Sequence, residues 1–100
     1  MKDYEAIIIL KPELDGDALK VTLKEILDML KKYNCNIENV DEWGKRALSY
    51  EIKKKKEGLY HLANFKATPE NIVKINREFR LNENVLRAMV SLRNKEKAQA

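Results

Sequence analysis

One hundred residues with a single cysteine suffice for one domain with its own core, and they exclude a disulfide framework; the lone thiol points to a reducing compartment. No apolar run approaches the ~20 residues that span a bilayer, and the opening K-D-Y-E lacks a secretory pattern, so a soluble intracellular protein without membrane attachment is expected. The net charge of +4 hides an asymmetry: residues 1–42 hold 6 Lys+Arg against 10 Asp+Glu, whereas residues 43–100 hold 14 against 6, a balance that suits a polyanionic partner but also an ordinary solvated lysine-rich surface.

Residues 2–10 alternate as a strand. Tyr4, Ala6, Ile8 and Leu10 share one face; Glu5, Ile7 and Ile9 share the other. Apolar groups on both faces predict a central strand, and Lys11-Pro12 ends it, because proline lacks the N–H a ladder needs. Asp15 then predicts an N-cap for a helix reaching about Tyr33, with Asp17 in its first turn. Leu19, Leu23, Ile26, Leu30 and Tyr33 recur at helical spacing as one apolar stripe, and Asn34-Cys35-Asn36 reads as a turn.

Residues 36–53 predict a long second strand containing the single Trp. Beyond Gly44, Ala47, Leu48, Tyr50 and Ile52 are apolar while Ser49 and Glu51 are not, as in a half-buried strand. A glycine inside such a run marks a bulge or a close backbone approach. The spacing predicts that Gly44 takes a positive φ and sets a bend there, carrying Trp43 and Arg46 beyond the sheet edge. The alternative is Trp43 as an ordinary core aromatic. Lys54–Gly58 predicts a hairpin loop with Gly58 left-handed, and residues 59–67 a third strand. Thr68-Pro69-Glu70 is a helix start with threonine as N-cap and proline at the first position. Ile72, Ile75 and Phe79 form the buried stripe of this helix, which ends near Leu81. Residues 85–93 predict the last strand, with Leu86, Ala88, Val90 and Leu92 on one face and Arg87, Met89, Ser91 and Arg93 on the other. Residues 94–100 carry no pattern and read as a disordered tail after a single domain over 1–93.

The order β-α-β-β-α-β, with right-handed crossovers, predicts an α+β ferredoxin-like fold: a four-stranded antiparallel sheet with both helices on one face. The Leu86 side of the last strand then lies under the helices. Its arginine side is left uncovered and available to a partner.

Catalytic and cofactor chemistry finds no support. His61 is the single histidine and reads as a partly buried structural residue. Cys35 has neither zinc spacing nor a redox partner. Asp15 and Asp17 lack the rest of a calcium loop, and the glycines at 16, 44 and 58 form no phosphate-binding loop. No cofactor, metal or small-molecule substrate is expected. The lysines at 53–56 read as a hairpin tip, either a guard on the sheet edge or a phosphate contact. An RNA-recognition motif is an alternative, a stand-alone binder of single-stranded RNA stacking bases on Tyr4 and Tyr60. Its signature fails, however, because His61 and Asn64 stand where aromatics belong. A regulatory ferredoxin-like domain binding a small ligand or metal would need His or Cys clusters that are absent.

Several segments together resemble a known family. Tyr4-Glu5, Lys11-Pro12, E-W-G-K-R-A-L-S-Y-E-I at residues 42–52, Gly58 with Tyr60, and F-R-L-N-E-N-V-L-R-A-M-V at residues 79–90 are similar, in this order and separation, to the sixth protein of the bacterial small ribosomal subunit, over about residues 2–93. The resemblance implies the same ferredoxin-like fold and a structural, non-catalytic role in the cytoplasmic ribosome. It further implies binding to the central domain of the small-subunit ribosomal RNA as a heterodimer with the eighteenth small-subunit protein, the isolated chain being a monomer. On that reading Lys2, Tyr4, Arg80, Arg87 and Arg93 are the first RNA-binding candidates, with Arg46 and the loop lysines, Lys54 foremost, behind them. Trp43, Tyr50, Tyr60 and Met89 are candidates for the protein interface, because interfaces favour aromatic and methionine side chains.

Overall fold

A computed structural model describes residues 1–93; the expected tail at 94–100 lies outside the described residues. The elements are β1 (Lys2–Leu10), α1 (Gly16–Lys32), β2 (Asn36–Ile52), β3 (Lys55–Ala67), α2 (Pro69–Leu81) and β4 (Val85–Leu92). The four strands are ordered β2-β3-β1-β4 and every neighbouring pair is antiparallel, which is the predicted ferredoxin-like arrangement. β1 and β3 are the inner strands, so β2 and β4 each present a free backbone edge.

The core lies between one sheet face and the two helices. Ala6, Ile8 and Leu10 of β1, Ala63, Phe65 and Ala67 of β3, Val85 of β4, Ile26 and Leu30 of α1, and Ile75 and Phe79 of α2 are all buried in it. Tyr4 belongs to the same cluster and stacks on Phe65 with ring centroids 6.1 Å apart. The predicted helical stripes hold, with one addition. Thr22, passed over because it is polar, is buried: its Oγ1 donates to the Ala18 carbonyl at 2.9 Å and accepts from Asn84 Nδ2 at 3.0 Å. Leu92 departs from expectation. It shares the core-side parity, opposite Tyr4, yet is 58% exposed because it ends an edge strand flanked on one side only.

The turn predicted at Asn34 closes α1. Asn34 has φ 61°, the Asn34 N–H donates to the Lys31 carbonyl at 2.9 Å, and the Cys35 N–H to the Leu30 carbonyl at 3.0 Å. This is a Schellman cap, and the buried Cys35 beside Leu30 supplies its apolar contact.

The β2–β3 hairpin differs from expectation in length and in the role of its glycine. The connection is only Lys53-Lys54, both left-handed at φ 50° and 66°, between the paired residues Ile52 and Lys55. Positive φ at both central positions is what a tight two-residue hairpin requires, so the lysines take the conformation assigned to Gly58. Gly58 instead lies buried within β3. A side chain there would meet the Cγ2 methyl of Ile9, so this glycine is selected by close approach rather than by a turn.

Candidate nucleic-acid interface

The free face of the sheet is organised by the last two of three register shifts in β2. The earlier of these two is the expected one. Register shifts between Glu42, opposite His61, and Gly44, opposite Tyr60, leaving Trp43 as the extra residue, and Gly44 has φ 84°. A bulge of this kind moves the following residues by one position and re-aims the side chain it contains. It turns Trp43 onto the helix-free face, where it is 42% exposed and stands outside the core cluster. Trp43 therefore lines a surface groove rather than projecting past the edge, and it is not a core aromatic. Arg46 lies over its ring at 5.8 Å and its Nε donates to the Trp43 carbonyl at 3.4 Å.

The second irregularity is larger. Ala47 pairs with Glu57 and Ile52 with Lys55, so residues 48–51 of β2 face the single Lys56 of β3. This surplus of chain forms a strap over the free face. Beneath it is a cavity of about 220 Å³ walled by Ile9, Trp43, Leu48, Tyr50, Tyr60 and Met89. Three contacts tie the hairpin down: Arg87 Nη1 donates to the Tyr50 hydroxyl, with the guanidinium 5.9 Å from the ring centre; Lys53 Nζ donates to the Val85 carbonyl at 3.3 Å; and Lys55 Nζ pairs with Glu13 Oε2 at 2.6 Å. Lys55 holds the exposed Glu13 carboxyl below its usual range chiefly through that hydrogen bond. Under the strap Ile9 is only 5% exposed, although it lies on the face without helices.

Around the free edge of β4 runs a second, wider cavity of about 680 Å³ between that strand and the end of α2. Lys53, Arg80 and Arg87 are on its walls, with Asn76, Phe79 and Leu86, and no lining residue is acidic.

The predicted site residues are thus sorted. Arg80 and Arg87 come together at the β4 edge with Lys53, one of the 53–56 lysines; Lys54, the candidate named from that run, is its neighbour in the turn and does not line this groove. Trp43, Tyr50, Tyr60 and Met89 converge on the apolar groove, joined by Leu48 and by Ile9, which alternation puts on the face opposite Tyr4 and Ala6. Arg93 follows β4, its N–H donating to the Asp3 carbonyl at 2.9 Å. Six residues along a strand put it about 20 Å from Arg87. Lys2 is exposed at the same end of the sheet but has the parity of Tyr4, so it emerges on the helix side. Tyr4 must be withdrawn as an RNA contact. At 7% exposed it is a core residue, because its parity on β1 is that of Ala6 and Ile8.

Among the described residues no cluster of His, Cys, Asp and Glu could hold a metal, and no helix is long and apolar enough to cross a membrane. Comparison with known proteins agrees with the fold and goes further. The profile of the family described as Ribosomal protein S6 matches residues 3–91. The small ribosomal subunit protein bS6 of Clostridium novyi is 44% identical over 90 residues, covering 90% of this chain and 95% of that protein. The corresponding protein of an Arthrobacter species is 36% identical over 100 residues, covering 100% of this chain and 99% of its own. The crystal structure of 30S ribosomal protein S6 from Thermotoga maritima superposes with a TM-score of 0.85 over 99% of this chain and 98% of that one, at 23% identity, a likeness of fold. On the family profile and the near full-length relatives, this chain belongs to the ribosomal protein S6 family of the small ribosomal subunit.

Proposed function

We propose that the chain is a structural constituent of the bacterial small subunit, in the cytoplasmic ribosome. It binds the central domain of the small-subunit ribosomal RNA together with the eighteenth small-subunit protein, and the free chain is a monomer without catalytic activity. The observation that carries this reading is the division of labour on the two sides of β4: a basic, acid-free groove between that strand and the end of α2, and an aromatic groove on the helix-free face. Clustered cations meet phosphates with sequence-independent, salt-dependent affinity. A groove walled by Trp, Tyr and Met, half open to water, has the composition of a protein interface core. The stand-alone RNA-recognition alternative loses support, since Tyr4, one of its two stacking residues, is buried.

Co-purification of the tagged chain from its native cells, with identification of the bound RNA and protein, tests the reading. Recovery of the ribosomal RNA with the eighteenth protein is expected. Recovery of other single-stranded RNA without that protein would refute it. In reconstituted complexes, Arg87→Ala should weaken RNA binding and reduce the salt slope by roughly one phosphate contact.

A further inference from the structure

Four side chains stand in one row across the helix-free face, one on each strand. They are Asn39 of β2, Asn64 of β3, Glu5 of β1 and Ser91 of β4, each opposite the next in register. Asn64 is 8% exposed, and its Oδ1 is buried without a hydrogen-bond partner. Resting on the reading above that a protein partner meets this face, we propose that Asn64 and Glu5 form a seat for one arginine side chain of that partner.

The polarity of the row is set at its outer end. The Asp41 carboxylate can only accept, so Asn39 turns its Nδ2 to Asp41 Oδ1, at 3.4 Å. Asn39 Oδ1 is then left to accept from Asn64 Nδ2, at 2.7 Å. With its Nδ2 arm given to β2, the planar Asn64 amide turns its Oδ1 arm the other way, toward β1, where Glu5 is its register partner. A carbonyl oxygen and a carboxylate thus lie side by side, and neither can donate to the other. Among the described residues Glu5 takes part in no ion pair or side-chain hydrogen bond. Lys66, the cation next along β3 on this face, has Asp3 as its register partner instead. Two neighbouring acceptors without a donor suit a cation rich in N–H groups. Guanidinium carries five in a planar fork, enough to grip the carboxylate with two and the amide oxygen with a third. Glu5 is long and only half-buried, so it can lift toward solvent and draw the guanidinium back over the buried oxygen. A phosphate backbone is a poor occupant, because the Glu5 and Asp41 carboxylates flank the amide and repel it. The position suits a polypeptide as well. Ile9, on the wall of the apolar groove, lies four residues from Glu5 along β1, about 13 Å. A partner segment extended along this face would set an apolar or aromatic anchor in the groove and its arginine about four residues away.

Glu5→Gln tests the seat, because it should move two measurements in opposite directions. Glutamine keeps the shape, removes the charge and supplies the Nε2 donor that Asn64 Oδ1 lacks. The free chain should therefore be at least as stable, with an unchanged or higher urea midpoint. Titrated with the eighteenth small-subunit protein, the same variant should bind roughly tenfold to a hundredfold more weakly than the native chain. Glu5→Arg, which puts a cation into the seat, should bind more weakly still. Native affinity in Glu5→Gln would overturn the seat while leaving the protein-partner reading intact. So would a lowered urea midpoint, which would mark Glu5 as a structural residue. A loss confined to binding of the central-domain ribosomal RNA would assign the pair to nucleic acid and overturn the arginine seat. Failure of the native chain to bind the eighteenth protein would refute the reading and the seat together.

Discussion

Gly58 offers the sharpest test of how the hairpin is held, through the substitution Gly58→Ala. An added Cβ would stand less than 3.0 Å from Ile9 Cγ2, 3.4 Å from the Leu10 carbonyl oxygen and 3.6 Å from Leu48 Cδ2. Carbon atoms normally keep ~3.5–4.0 Å apart, so the first contact must be relieved by movement. The methyl it meets branches from Cβ of an isoleucine, which is stiff at χ1 and cannot swing clear cheaply, and Ile9 is itself buried. Overpacking of this kind costs ~1–3 kcal/mol. Against it, alanine narrows the unfolded ensemble, a gain of ~0.4–1 kcal/mol where the backbone is compatible, and Gly58 is not among the positive-φ glycines. The net expectation is a loss of ~1–2 kcal/mol. Urea denaturation of Gly58→Ala, Ile9→Ala and the double variant separates this cause from others. Removing the Ile9 methyl should relieve the clash, so the double variant should be at least ~0.5 kcal/mol more stable than the two single losses added together. Gly44→Ala is the control: nothing lies within 4 Å of a Cβ there, yet φ is +84°. Its cost, ~1–2 kcal/mol of left-handed backbone strain, should not respond to Ile9→Ala. A neutral Gly58→Ala, or strict additivity with Ile9→Ala, would refute the close-approach account.

Trp43→Ala should leave the folding stability of the lone chain nearly intact and weaken binding to the eighteenth small-subunit protein by ~2 kcal/mol or more, measured by denaturation and then titration; a folding loss of ~3–5 kcal/mol would mark it as a core residue. Ile8→Ala and Ile75→Ala, at 2% and 0% exposure, should each cost ~2–5 kcal/mol, and the half-buried Ile7→Ala less, in the same urea melts. His61 is 1% exposed and neither ring nitrogen has a hydrogen-bond partner among the described residues, so His61→Leu should be no less stable than the native chain and gain up to ~1–3 kcal/mol by removing an unsatisfied polar group. Burial pushes the Cys35 thiol up from its ordinary value of 9.0: thiol reagents should modify it only after unfolding, and because ionisation is easier in the unfolded chain, stability should fall as pH rises past that value.

Local chemistry determined a great deal. Alternation in residues 2–10 and 85–92, the 3.6-residue stripes of the two helices, and the proline and threonine opening α2 follow from short-range rules, so element order and fold class were legible in the sequence. The bulge at Trp43 was legible too, because a glycine inside a strand signal has few other meanings. What alternation could not supply was any quantity that depends on non-local register. Tyr4 looked like a stacking residue until its parity tied it to Ala6 and Ile8 beneath the helices. Gly58 looked like a turn residue, since nothing local reveals that Ile9, forty-nine positions away, fills the space a side chain would need. Lys53 and Arg80 are separated by a strand and a helix and become neighbours only because β4 is the edge beside which α2 packs. Side-chain period and capping are encoded within a few residues, whereas the grooves arise where chain segments of different register overlap. That overlap is fixed by closing the sheet around its core, and only the tertiary structure decides it.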